Sequence, residues 1–134
     1  MKIYVASKFE NKDAVRAAYA RLREDGHEIT CDWAAEDATG LDGSALHTYL
    51  AGCAHKDLVG VQACDALVLL NHERGCGMFT EMGIALAGGK LVIVIDADKR
   101  PNIFFHLPNV VHARDLDDAL HLLSTAEQLV RRPA

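Results

Sequence analysis

Three consecutive stretches decide the fold: Asp65-Ala-Leu-Val-Leu-Leu70, Gly75-Cys-Gly-Met-Phe-Thr-Glu81-Met-Gly-Ile-Ala-Leu-Ala-Gly-Gly-Lys90, and Leu91-Val-Ile-Val-Ile-Asp96. The first is an unbroken apolar run of strand length, which suits a strand covered on both faces. The second opens on a glycine-bearing turn, becomes Ala/Leu-rich, and closes on Gly88-Gly89, so it reads as a helix with a glycine stop. The third is a β-branched run ending in an acid. Together they form a βαβ unit. Glu81 is placed in the first turn of its helix, just beyond the carboxyl end of a buried strand, where open α/β sheets bind ligands.

Outward from this unit the same alternation continues. Residues 2–6 read as a buried strand, and Ser7 to Asn11 as a turn in which Asn11 or Asp13 caps a helix. Val15, Ala18, Tyr19 and Leu22 recur at helical spacing over 14–24, and Gly26 ends the helix. Residues 27–31 read as a more polar strand nearer an edge. The loop 32–43 holds the only tryptophan, four acids and two glycines, and loops this long are usually functional. A helix follows over about 44–62, with Leu46, Leu50, Cys53, Leu58 and Val61 as its apolar face and Gly52 and Gly60 as possible breaks. Residues 109–112 supply a fifth strand. Asp115 caps a last helix that turns Leu116, Leu120, Leu123, Ala126 and Val130 inward. The expected architecture is one α/β domain over residues 1–134, a doubly wound and mainly parallel five-stranded sheet of order 2-1-3-4-5 with helices on both faces.

Composition narrows the partners. Of 134 residues half are hydrophobic and a quarter charged, and the net charge is −5, which suits a soluble domain of this size. No basic run exceeds Arg131-Arg132, so nucleic acid and anionic membrane are not expected partners. No apolar stretch approaches the ~20 residues of a membrane span. The first residues run straight into a strand without a signal-peptide pattern, and Cys31, Cys53, Cys64 and Cys76 form no Cys-x-x-Cys pair. A cytoplasmic protein with reduced, mostly buried thiols is therefore expected. No His/Cys/Asp set has zinc spacing, and neither metal nor cofactor is expected.

At Tyr4, at Asp57-Leu-Val-Gly-Val-Gln-Ala-Cys-Asp65, and most specifically at Glu81-Met-Gly-Ile-Ala-Leu-Ala-Gly-Gly-Lys90, the chain resembles the nucleoside 2-deoxyribosyltransferase family, which includes N-glycosidases of nucleoside 5′-monophosphates. The resemblance spans nearly the whole sequence. It implies a flavodoxin-like fold, a small nucleoside or nucleotide as partner, a homo-oligomer, and a glutamate that attacks the anomeric carbon. By resemblance Glu81 is that nucleophile, Asp57 the acid beside the leaving base, and Tyr4 a tyrosine near the nucleophile. Asn102 is a loose match for a residue lent by a neighbouring subunit. Position 75, six before Glu81, is glycine where some transferases carry an acid, and Gly75-Cys76-Gly77 lacks the serine that nucleotide-cleaving relatives often have. Transfer and hydrolysis both stay open.

The residue types suit the chemistry. Breaking a C1′–N bond through an oxocarbenium-like transition state asks for an ionised nucleophile and an acid that protonates the base. A helix start favours charge on Glu81, and the carboxyl end of a helix raises the pKa of Asp57. The plainer alternatives are a helix-stabilising glutamate and an exposed aspartate paired with Lys56. Gly75 and Gly77 let backbone N–H groups approach a ligand. Ser7 and Thr80 are candidate hydroxyl donors, or simple caps. Trp33 and Phe9 are candidates to stack on a base, with core packing the simpler role for Phe9. Asp65 reads as a structural strand-end acid. A non-catalytic nucleotide-sensing or partner-binding module of the same fold is the alternative function, and cleavage of NAD a third.

Overall fold

A computed structural model of the chain describes residues 1–95 and 102–131. Five strands form one parallel sheet in the order β2-β1-β3-β4-β5: β1 Lys2–Ser7, β2 Glu28–Ile29, β3 Ala66–Leu70, β4 Leu91–Ile95 and β5 Val110–Ala113. The helices are α1 Lys12–Glu24, α2 Gly43–Ala63, α3 Cys76–Ala87 and α4 Leu116–Arg131. The acid expected to close β4, Asp96, lies outside the described residues, as do the polar connection 97–101 and Arg132.

The continuous apolar runs occupy the middle of the sheet. Every residue of β3 is buried, and β1 and β4 are buried but for their first residues. Two-sided burial is what an unbroken Leu/Val/Ile run requires. The second strand is shorter than expected, because after Thr30 donates its N–H to Ile3 the chain leaves the ladder. Side-chain bonds then hold it: the Thr30 hydroxyl donates to Gly60 O at 2.8 Å, and Tyr19 donates to Cys31 O at 3.1 Å. Asp65 is structural, accepting the Lys2 N–H at 2.7 Å and tying β3 to β1.

The helix stops form as composition suggests. Gly26 takes φ +83° after α1, with Gly26 N–H bonded to Arg23 O and His27 N–H to Leu22 O, and Gly89 (φ +69°) repeats the motif after α3. At the other end of α1 the Asn11 side chain does not cap; it donates to Ser7 Oγ at 3.0 Å. Asp115 does cap α4, accepting from Asp118 N at 2.8 Å.

Two apolar faces need correction. In α2 the inward stripe is Cys53, Asp57, Gly60 and Val61, while Leu50 (49% exposed) and Leu58 face outward. The apolar residues of α2 lie all around it, so periodicity does not single out a face. The helix is nevertheless unbroken through Gly60, and here glycine is a packing requirement. A Cβ at this position would stand 2.7 Å from Cys31 Cβ and 3.2 Å from the Tyr4 ring. In α4, Leu120 and Leu123 are buried, but Val130 near the helix end is 80% exposed. Among the described residues no helix is long and apolar enough to cross a membrane.

Candidate active site

The sheet's switch point lies between β1 and β3, whose following loops diverge and leave a crevice at the carboxyl edge. Those loops touch: Lys8 Nζ pairs with Glu73 at 2.9 Å, and a Cβ on Gly75 would lie 3.3 Å from the Lys8 Cα. A cleft of about 370 Å³ opens there. Of the residues anticipated for a ligand site, Ser7, Phe9, Trp33, Asp57, Gly75, Gly77 and Glu81 line it. Lys8, Glu10, Glu36, Cys76 and Met78 complete the lining. Tyr4 does not line it; it is fully buried in β1, with its hydroxyl near Glu81.

Glu81 is the sixth residue of α3, so it sits in the second turn rather than the first. The helix dipole fades over that distance, and burial dominates. Burial, reinforced by the nearby Asp57 and Glu36, pushes the Glu81 carboxyl up to about 8. This runs against the expectation that helix position keeps it charged: burial favours the protonated form of Glu81. The Tyr4 hydroxyl is raised well above its ordinary value by burial and then by Glu81, and its nearness draws the Glu81 carboxyl part of the way back down. The two do not meet in bonding geometry, since Tyr4 Oη and Glu81 Oε2 are both buried without a hydrogen-bond partner. An unpaired buried donor beside an unpaired buried acceptor costs about 1–3 kcal/mol per group.

Asp57 is half-buried on the inward stripe of α2, and its bonded neighbour is Cys31, whose thiol approaches Oδ1 at 3.4 Å. Lys56 beside it is exposed. The Asp57 carboxyl is pushed up to about 6, first by burial and then by the Glu36 carboxylate. The helix end, six residues on, is not the cause. Cys31 is pushed up to about 12 by burial and then by Asp57, so it is a thiol at any physiological pH. Cys76, at the start of α3, is the exposed cysteine.

Phe9 is not a core residue. It is half-exposed and stacks on Trp33 with ring centres 6.3 Å apart and planes 24° from parallel. Trp33 is fixed from behind, its indole N–H donating to Val5 O at 2.6 Å. The pair gives the cleft a flat aromatic wall. Ser7 accepts from Asn11 and approaches Leu70 O at 3.4 Å, so its hydroxyl is engaged at the cleft edge. Thr80 lies elsewhere: it is exposed, and its hydroxyl donates back to Cys76 O at 3.0 Å within α3. Asn102 is also away from the cleft in the single chain. It caps the short 3₁₀ turn Ile103–His106 by accepting from Phe104 N, and borders an apolar groove beside Phe79 and Ile103.

Glu36 has no signature in the sequence beyond its membership of the long acidic loop. It stands in the cleft because the 3₁₀ turn Trp33–Ala35 folds that loop back over α2. One ligand atom each of Cys31, Glu36 and Asp57 lie within 4.8 Å of one another, a juxtaposition of two residues of the β2–α2 connection with one of α2 that no linear spacing announces.

No protein-family model and no curated protein matches this sequence. By structure the chain is similar to a CMP N-glycosidase from Clostridium botulinum, BcmB, with a TM-score of 0.61 and 18% identity over 92% of this chain and 99% of that one. At this identity the likeness establishes the architecture, a five-stranded parallel sheet of order 2-1-3-4-5.

Proposed function

We propose that the protein is an enzyme that breaks the N-glycosidic bond of a nucleoside or nucleotide, 2′-deoxy by the family resemblance, through a glycosyl ester on Glu81. One observation carries the reading: a cleft with an aromatic wall contains two carboxyls whose proton affinities are pulled apart, to about 8 at Glu81 and about 6 at Asp57. The comparison protein's name supports the same bond as target.

In the first step a Glu81 carboxylate oxygen bonds to C1′ while the C1′–N bond breaks. Its electron pair leaves with the base, and the Asp57 proton neutralises it. In the second step water, or the nitrogen of an incoming base, bonds to C1′ and displaces Glu81. Asp57 takes the proton that the nucleophile sheds. The active form therefore has Glu81 ionised and Asp57 protonated, opposite to the resting preference. Tyr4 supports it, since a hydrogen bond from its hydroxyl stabilises charge on Glu81. Phe9 and Trp33 hold the base by stacking. Ser7 and the Gly75–Gly77 backbone serve the sugar or a 5′-phosphate. Asn102 acts in a neighbouring copy of the chain, whose docking the exposed Ile103 and Phe104 favour.

A resting Glu81 that holds its proton would also suit a non-catalytic nucleotide-binding module. Chromatography separates the readings. Incubation with deoxynucleosides and their 5′-monophosphates is expected to release free base, and added acceptor base distinguishes exchange from hydrolysis. Binding across the panel without any base release would favour the module.

A further inference from the structure

Two carboxyls share one wall of the cleft, and each has only part of itself to offer. The turn that carries Glu36 is pinned: its N–H bonds to Trp33 O at 3.0 Å, and its carbonyl accepts from Lys12 Nζ. Lys12 also sits 4.2 Å from the Phe9 ring centre, and the next residue, Asp37, donates its N–H to the Tyr49 hydroxyl of α2 at 2.9 Å. With its main chain engaged, Glu36 presents its carboxylate. The Cys31 thiol occupies Asp57 Oδ1, which leaves Oδ2. The nearest oxygens of the two acids are within 4.8 Å. With Glu36 beside it, Asp57 has a raised proton affinity, first from burial and then from that neighbour, so it is the member of the pair that carries the proton in the reactive form. Beneath them the hydroxyl of Tyr4, a residue with no exposed surface, is unpartnered beside Glu81, Asp57 and Cys31.

We propose that Glu36 and Asp57 jointly read the leaving base and select bases with an amidine edge, a ring nitrogen next to an exocyclic amino group, as in cytosine and adenine. The inference rests on the glycosidic reading above and adds the substrate class. Asp57 Oδ2–H donates to the ring nitrogen and Glu36 accepts from the amino group, with the ring lying along Phe9. The proton that orients the base is then the proton the leaving group requires. As C1′–N breaks, its electron pair passes into the ring, and transfer of the Asp57 proton to the ring nitrogen leaves a neutral base and an Asp57 carboxylate. A lactam edge, as in uracil, thymine or hypoxanthine, sets N–H against O–H and C=O against carboxylate. Both contacts are wrong, and a site built to hydrogen-bond rejects such a ligand strongly.

The test compares kcat/KM for 2′-deoxycytidine with 2′-deoxyuridine, and 2′-deoxyadenosine with 2′-deoxyinosine, each also as the 5′-monophosphate, in the wild-type and Glu36→Gln proteins. The wild type is expected to prefer the amidine member by at least about tenfold in both pairs. In Glu36→Gln, whose amide can donate or accept, the preference is expected to shrink to within about threefold. Equal rates in the wild type, or a preference untouched by Glu36→Gln, overturn the proposal while leaving glycosidic cleavage standing. Calorimetry with the same nucleosides on Glu81→Gln at pH 5, below the value of about 6 for Asp57 so that the donating proton is in place, keeps the two readings apart. If no base is released anywhere, tighter binding of the amidine members still supports base reading and the glycosidase reading alone fails; equal binding overturns base reading too.

Discussion

Replacing Glu81 by Gln is expected to stabilise the protein, increasingly so as the pH rises. In the folded chain burial raises the Glu81 carboxyl from 4.5 to about 8, so the folded state binds this proton more tightly than the unfolded state does. Stability from that proton is fully present below about pH 4.5 and is lost as pH climbs through 8. At about 1.4 kcal/mol per pKa unit, the difference reaches about 5 kcal/mol well above pH 8 and about 3 kcal/mol at pH 7. Gln cannot ionise, and burying its amide takes back about 1 kcal/mol. Urea denaturation should therefore show Glu81→Gln more stable than wild type by about 3–4 kcal/mol at pH 8.5, with the two within about 1 kcal/mol at pH 4.5. A pH-independent difference, or a variant less stable at pH 8.5, would refute the idea that a destabilising buried carboxyl is retained for chemistry.

Other consequences follow from the same groups. The rate of base release should be bell-shaped in pH, with limbs near 6 and 8 from Asp57 and Glu81; at pH 7 the reactive form, about a tenth of Asp57 protonated and about a tenth of Glu81 ionised, is roughly one per cent of the free enzyme. Asp57→Asn should remove one limb, and an unchanged profile would reassign the acid. Tyr4→Phe removes a buried unpaired hydroxyl, so thermal melting should show no loss of stability. Turnover should nevertheless fall roughly 10- to 100-fold through loss of a donor to charged Glu81; unaltered turnover contradicts the role given to Tyr4. Gly60→Ala forces a Cβ against Cys31 and the Tyr4 ring, and should destabilise by about 1–3 kcal/mol in urea titration despite alanine's better helix propensity.

How much of this was legible in the sequence differs by physical origin. The central strands follow from Ala66–Leu70 and Leu91–Ile95, because burial on both faces forces unbroken apolar runs. The order 2-1-3-4-5 follows from the alternation of strands and helices as the usual solution at this length. The placement of Glu81 near a strand's carboxyl end follows from the βαβ pattern. Its protonation does not, since the opposing effect is the desolvation of a side chain by residues far apart in the chain. Glu36 is invisible for a related reason: only the 3₁₀ turn at Trp33–Ala35 and the Lys12 contact bring it to Asp57. In α2, apolar residues on every side conceal that Asp57 belongs to the inward stripe and Leu50 does not. Thr80 has residue type and position in its favour, yet a helix hydroxyl can satisfy itself on the carbonyl four residues back.

The central claim is that the Glu81 carboxylate itself attacks the sugar, and the most direct measurement is base release by Glu81→Ala relative to wild type on the best substrate of the panel. Loss of at least about a thousandfold, in a variant that melts cooperatively, is the predicted result. Turnover within about tenfold of wild type would contradict the account.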